Sequence, residues 1–219
     1  MIDPDISSFF SGLEATIAYA KKYQENNSEE FAFEFNPLIH FYDKGENQLS
    51  DMLAFFLDPE EKHGQKRLFV DIFLKELGLT EIVGFYTNVR VKREQPTDER
   101  RKIDIVLFFD NRYAIGVENK IWAPDQNMQV SDYYDWLDKH YPNRFSLIYL
   151  TPYGHSPSAI DESRKIIIKD HSTFTINLIK LWAEKCKADK VRHFLKDFSQ
   201  FVDNEIKGCM FVSVNRRFF

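Results

Sequence analysis

Apolar and polar positions repeat along this chain with two different periods. From Asp5 to Glu25, Phe9, Phe10, Leu13, Ile17 and Ala20 recur at three-to-four spacing, which predicts a helix over 5–25. A polar stretch with interleaved Phe occupies 26–36, and Pro37 interrupts it. The run from Glu46 to Leu57 predicts a second helix that stops before Asp58-Pro59, because a residue preceding proline is pushed out of helical geometry. His63-Gly64 falls in a connecting loop, and 66–77 (KRLFVDIFLKEL) reads as a third amphipathic helix closed by Gly78. The period then drops to two. FYTNVRVKRE (85–94), KIDIVLFF (102–109) and YAIGVENKI (113–121) predict three strands in a meander, with a loop at Pro96, Thr97 and Asp98 and a tight hairpin at Asp110-Asn111-Arg112. Further on, a helix over 125–140, strands at FSLIYLT (145–151) and RKIIIK (164–169), and helices over 174–187 and 189–206 complete the pattern; the end, 209–219, is ambiguous. This order predicts an α/β (α+β) fold in which helices pack on a mixed sheet.

A length of 219 residues with 43% hydrophobic residues suits one well-packed core. We read 1–219 as one domain, with a helical appendage over 1–36, a core over 40–155, and a strand and helices over 160–219. The 21 Phe residues raise the aromatic share to 16% and supply much of the area available for burial. No apolar run reaches the roughly 18–20 residues needed to cross a bilayer, and the N-terminus has acids where a signal peptide has bases. Two cysteines, Cys186 and Cys209, make neither a disulfide framework nor a zinc cluster. The expected location is cytoplasmic. A net charge of −5 argues against a protein that coats nucleic acid nonspecifically, but a catalytic site needs only local cations. Arg90, Lys92, Arg93, Arg100, Arg101 and Lys102 crowd the approach to the central strands, offset by Glu94, Asp98 and Glu99; a solvated loop would look the same.

Charged residues stand in apolar company on two adjacent strands: Asp104 in KIDIVLFF, Glu118 and Lys120 in YAIGVENKI. Side chains alternate across a strand, so Glu118 and Lys120 share one face, and Val117, Asn119 and Ile121 take the other. If Asp110-Asn111-Arg112 is a three-residue loop, Phe109 pairs with Tyr113 and Asp104 stands opposite Glu118, with Cβ atoms about 4.5–5.5 Å apart. Carboxylates that close repel unless a cation lies between them, and Mg²⁺ suits the gap. A solvent-facing ion-pair ladder would give the same pattern and contribute little energy. Two helices bear on the choice. Glu46 falls within the stripe of Leu49, Ser50, Leu53 and Leu57, where a carboxylate needs a partner; a metal is one, and the dipole of the first helical turn is the other account. Gln126, Gln129, Val130, Tyr133, Trp136 and Leu137 share a face of the 125–140 helix, and polar groups there need hydrogen bonds, to metal-bound water, to the lysine, to a phosphate, or to sheet edges and solvent.

At these residues the chain resembles the PD-(D/E)XK nuclease superfamily, and within it a bacterial and phage-borne group with a RecB-like QhxxY element. The likeness spans roughly 40–155. Glu46-Asn47 opens a helix ending in Leu57-Asp58-Pro59, then His63-Gly64, Arg93-Glu94, Arg101-Lys102-Ile103-Asp104-Ile105, Glu118-Asn119-Lys120-Ile121, Gln126, Gln129-Val130-Ser131-Asp132-Tyr133 and Tyr149-Leu150-Thr151-Pro152 follow in the family's order. Ile103 replaces the motif's proline, which is not a ligand. The resemblance implies a restriction-endonuclease-like core, a central mixed sheet flanked by helices. It also implies phosphodiester hydrolysis with Mg²⁺, for which Mn²⁺ would substitute, on nucleic acid, with DNA the expected substrate. Asp104, Glu118, the backbone carbonyl of Asn119 and Glu46 would hold the metal, and Lys120 would orient the attacking water and offset charge on the phosphate. Gln126, Gln129 and Tyr133 would be supporting or phosphate contacts; Glu94 is a weaker candidate. A homodimer is one arrangement the resemblance allows, a membrane partner is not expected, and a role in phage defence is what the family suggests. The alternative is a non-catalytic nucleic-acid-binding or protein-interaction module that keeps the fold.

Overall fold

The computed structural model describes residues 4–27, 29, 48–120, 128–157, 161 and 163–215. Glu46 and Gln126, and with them the predicted starts of two helices, lie outside the described residues. The elements are α1 (Pro4–Asn26), α2 (Gln48–Leu57), α3 (Leu68–Glu76), a short α4 (Thr80–Val83), β1 (Val89–Pro96), β2 (Lys102–Phe109), β3 (Tyr113–Asn119), α5 (Gln129–His140), β4 (Phe145–Thr151), β5 (Ile167–Asp170), α6 (Ile176–Lys185) and α7 (Asp189–Asn215). The strands form one mixed sheet in the order β1-β2-β3-β4-β5. The β1-β2 and β2-β3 pairs are antiparallel, as a meander requires, and β3-β4 and β4-β5 are parallel. Among the described residues no helix is long and apolar enough to cross a membrane.

Alternation along the strands sorts the core into two layers. Ile105, Leu107 and Phe109 of β2, Ile115 and Val117 of β3, and Ile148 and Leu150 of β4 face α2, α3, α6 and α7. Val106, Phe108, Ala114, Leu147 and Tyr149 face α5 on the other side, where Val130, Tyr133 and Leu137 meet them. The larger layer is centred on Phe56, whose ring lies 5.5 Å from Phe69 and 6.0 Å from Trp182, and the Trp182 indole N–H donates to the Phe69 carbonyl at 3.0 Å. His63 sits in this cluster fully buried, accepting from Gln65 N through Nδ1 (3.0 Å) and reaching the Asp58 carbonyl through Nε2 (2.9 Å). Burial pushes its pKa down to about 4, so the ring is a neutral loop staple.

Several boundaries differ from those the periodicity predicts, and each has a local cause. β1 begins at Val89, four residues after Phe85. Tyr86 is drawn to α3, where its hydroxyl donates to Asp71 (2.7 Å) and Arg67 covers its ring, while Thr87 N and Asn88 N donate to the Asp110 carboxylate rather than to a ladder. The strand also runs through Pro96, expected in the loop; on an edge strand the missing N–H is tolerated. α3 starts at Leu68 because Lys66 takes a left-handed backbone (φ 51°). The 164–169 strand is shifted to Ile167–Asp170, since Arg164 turns away to bond Ser131 and Asp135 of α5. A π-helical turn over His171–Thr175, capped by the Asp170 carboxylate on Thr173 N (2.6 Å), leads into α6. α7 continues through the ambiguous end as far as Asn215. α2 is buried on nearly every side, not along one stripe, from Leu49 to Leu57 with only Asp51 left half-exposed.

One packing contact ties this core to the site. A Cβ at Gly116 would stand 2.9 Å from Leu137 and 3.3 Å from Leu147, so β3 and α5 approach closely because the position is glycine. Gly116→Val is expected to destabilise the fold by about 1–3 kcal/mol, the usual result of overpacking. A thermal melt indistinguishable from that of the parent would contradict this.

Candidate active site

The Asp110-Asn111 turn sets the register on which the site depends. Both residues adopt left-handed backbone (φ 48° and 54°), and Arg112 N closes the turn on the Phe109 carbonyl at 2.8 Å. Phe109 then pairs with Tyr113 and Ile105 with Val117. Continued by one residue, the register sets Asp104 against Glu118. The geometry anticipated for the hairpin is the one found, with a refinement at Asp104. Ile103 packs with the α5 layer while Ile105 packs with the other, so strict alternation breaks between them. The break lies opposite Glu94, which drops out of the β1-β2 ladder and sits at φ 49°. The Asp104 carboxylate accepts from Asn119 N at 2.8 Å across the end of β3.

Glu118 is almost wholly buried on the α5 side. Its Oε1 accepts from Lys120 Nζ (2.8 Å) and from Gln129 Nε2 (2.8 Å). Gln129 Nε2 also donates to the Tyr133 hydroxyl (2.7 Å), which itself donates to the Lys102 carbonyl (2.6 Å). A relay of side chains thus runs from α5 to the carboxylate. Its other oxygen, Oε2, is buried with no donor among the described residues. The Asp104 carboxyl, itself an acceptor, lies close enough to the Glu118 carboxylate to interact with it. Burial, then the Asp104 charge, push the Glu118 pKa up to about 8, against the opposing pull of Lys120; burial raises that of Asp104 as well. Two acids this close, one of them buried, favour a shared proton or a further cation between them.

Gln129 and Tyr133 therefore stand where the sequence placed them, on the inward face of α5. That helix is pinned by Arg101 to Asp132 (3.0 Å) and by Arg164 to the Ser131 hydroxyl (2.7 Å). Tyr133→Phe removes the hydroxyl that joins Gln129 to Lys102. It should cost about 1–3 kcal/mol of stability by leaving buried partners unsatisfied, and, if the relay supports a metal ligand, about 10–100-fold in metal affinity. Calorimetric Mn²⁺ titration beside a thermal melt reads both, and an unchanged affinity would remove Tyr133 from the support of the site.

Contacts that the sequence does not foretell complete the surroundings, two of them through Asp51 and His171, which no motif marks. Asn119 Nδ2 donates to Ser50 Oγ on α2 at 2.7 Å, and Asp51 beside it accepts from Arg93 Nε at 2.8 Å. The Arg93 guanidinium also donates to the Asp104 carbonyl. His171 is fully buried against the backbone of Lys120, with Nδ1 2.9 Å from Thr175 Oγ1, and burial drives its pKa down to about 4. No local pattern foretells the Asn119–Ser50 and Arg93–Asp51 contacts, whose partners lie 69 and 42 positions apart. Glu94 does not join the carboxylates, since it pairs with Lys102 (2.7 Å) at the surface.

The donor set suits a hard divalent cation. Among the described residues no three His, Cys, Asp or Glu side chains cluster, and two carboxylates gather. Mg²⁺ is commonly held by one or two carboxylates with waters and substrate phosphates completing its shell, and Glu118 Oε2 is a buried acceptor free to take part.

A five-strand mixed sheet covered by helices on both faces puts the fold in the restriction-endonuclease-like α/β class. The chain belongs to the PD-(D/E)XK nuclease superfamily, whose sequence profile matches residues 35–203. The match extends past the 40–155 stretch that carries the motifs and takes in β5, α6 and the first half of α7. No curated protein and no solved structure matches the chain.

Proposed function

We propose that the chain is a metal-dependent nuclease that hydrolyses phosphodiester bonds of DNA, with Asp104, Glu118 and Lys120 as its working groups. The observation that carries this reading is the Asp104–Glu118 pair: a buried acid interacting with a half-buried one, with Glu118 Oε2 lacking a donor among the described residues. A structural ion pair has no need of the second acid. Superfamily membership supports a nuclease, and hence a nucleic-acid substrate.

In this reading Asp104, Glu118 and the Asn119 carbonyl hold Mg²⁺ or Mn²⁺, and Glu46, from the segment before α2, adds a carboxylate. The ion would supply Lewis-acid polarisation of the scissile phosphate and acidify the attacking water. Lys120 is held by Glu118 and by its own backbone, whose N–H donates to the Leu150 carbonyl at 2.8 Å. Its work is to orient the water and offset charge developing on the phosphate. Gln129 and Tyr133 keep the Glu118 carboxylate in place; Gln126, just before α5, would contact phosphate.

Incubation with plasmid, linear duplex, single-stranded DNA and RNA, with Mg²⁺, with Mn²⁺ and with EDTA, tests the reading. Cleavage of DNA that requires the metal and disappears in Asp104→Ala is expected. Cleavage that persists unchanged in that variant, or none on any substrate, would sink it.

A further inference from the structure

Asp104 is a short side chain at a broken rung of the sheet, and it needs something to fix it. Glu94 should pair with Asp104, since Arg93 pairs with Ile105 and Gln95 with Ile103, yet that rung is missing. At φ 49° Glu94 turns its side chain out to Lys102. Arg93, one residue earlier, fills the gap from the α2 side. Its guanidinium donates to the Asp104 carbonyl and, through Nε, to Asp51 Oδ1 at 2.8 Å. Arg93 and Asp51 are each only about one-fifth exposed (21% and 20%), so the pair is shielded from water. The same helix supplies Ser50 to Asn119, so α2 holds both Arg93 and Asn119.

We propose that Arg93, locked by Asp51, is the positioning residue for Asp104. It replaces the missing rung of the ladder and holds the Asp104 backbone in register. A guanidinium suits this better than an ammonium, because its planar fork serves two acceptors in fixed directions. The inference rests on the metal-site reading above.

The test is Mn²⁺ titration by calorimetry on the full chain without nucleic acid, run beside thermal melts and metal-dependent cleavage. Arg93→Ala should weaken Mn²⁺ binding by about 10–100-fold, the usual effect of removing a residue behind a ligand. Cleavage should recover toward the parent rate as Mn²⁺ is raised, which Asp104→Ala cannot do. Arg93→Lys should fall between. Asp51→Asn should resemble a milder Arg93→Ala, and the double variant should be no worse than Arg93→Ala, because the two residues act as one unit. Should Arg93→Ala fail to give a cooperative melt, Arg93→Lys and Asp51→Asn decide the matter by the same titration. Mn²⁺ affinity within twofold of the parent in folded variants overturns the proposal and leaves the nuclease reading standing. A parent protein with no Mn²⁺ site that Asp104→Ala removes overturns both.

Discussion

Asp104→Ala and Lys120→Ala should each lower metal-dependent cleavage by about 10³-fold, the scale seen when a preorganised group facing developing charge is removed, yet they should part company in metal binding. Asp104 has one carboxylate oxygen on Asn119 N and touches Glu118. Removing it takes away a proposed ligand and the charge that repels Glu118, so Mn²⁺ affinity should fall. Lys120 lends its ammonium to Glu118 Oε1 at 2.8 Å. Its removal subtracts a positive charge close to the expected ion, so affinity should hold or rise while turnover is lost. Calorimetry with Mn²⁺ beside single-turnover cleavage separates the two. Equal loss of affinity in both variants would mean that Lys120 only holds the structure together. Full activity in Lys120→Ala would remove it from the chemistry.

The placement of these side chains was legible because the information is local. The turn length at Asp110-Asn111-Arg112 fixes which residues of β2 and β3 face each other, and the two-residue period puts Glu118 and Lys120 on one side and Asn119 on the other. The three-to-four spacing of Gln129 and Tyr133 likewise places both on one face of α5, and both bond as that face requires. What could not be read depends on chain distance. Asp51 and Arg93 are 42 positions apart and meet only because α2 lies under β1. The left-handed turn at Glu94, which hands the Asp104 carbonyl to Arg93, follows from no residue preference in Arg-Glu-Gln. β1 starts late for a related reason: Tyr86, Thr87 and Asn88 find partners at Asp71 and Asp110 that alternation does not encode. α2 is apolar on nearly every side, so its stripe gave no direction, and Glu46 lies outside the described residues.

Glu118→Gln should trade metal binding for stability, and the sign of the trade follows from its proton. In the metal-free fold the Glu118 pKa is pushed up to about 8, from an ordinary value near 4.5, first by burial and then by Asp104. Between those two pH values the folded chain carries a proton that the unfolded chain has lost, so the stability tied to this group is complete below about 4.5 and drains away as pH rises through about 8. Glutamine is neutral throughout, and its amide can donate toward Asp104 as the protonated acid does. In EDTA the variant should therefore match the parent near pH 5 and outlast it at pH 9, by about 1–2 kcal/mol or roughly 2–8 °C in Tm for a chain of this size. Metal reverses the order. Binding must expel the shared proton, so Mn²⁺ affinity of the parent should climb between pH 6 and 8, with proton release near pH 7 readable by calorimetry in buffers of different ionisation enthalpy. Saturating Mn²⁺ then stabilises the parent and leaves Glu118→Gln unmoved, with cleavage lost. A variant less stable than the parent at pH 9 in EDTA would mean that Glu118 is ionised and satisfied by Lys120 alone. The pair would then be an ordinary buried salt bridge, with no strain for a cation to relieve.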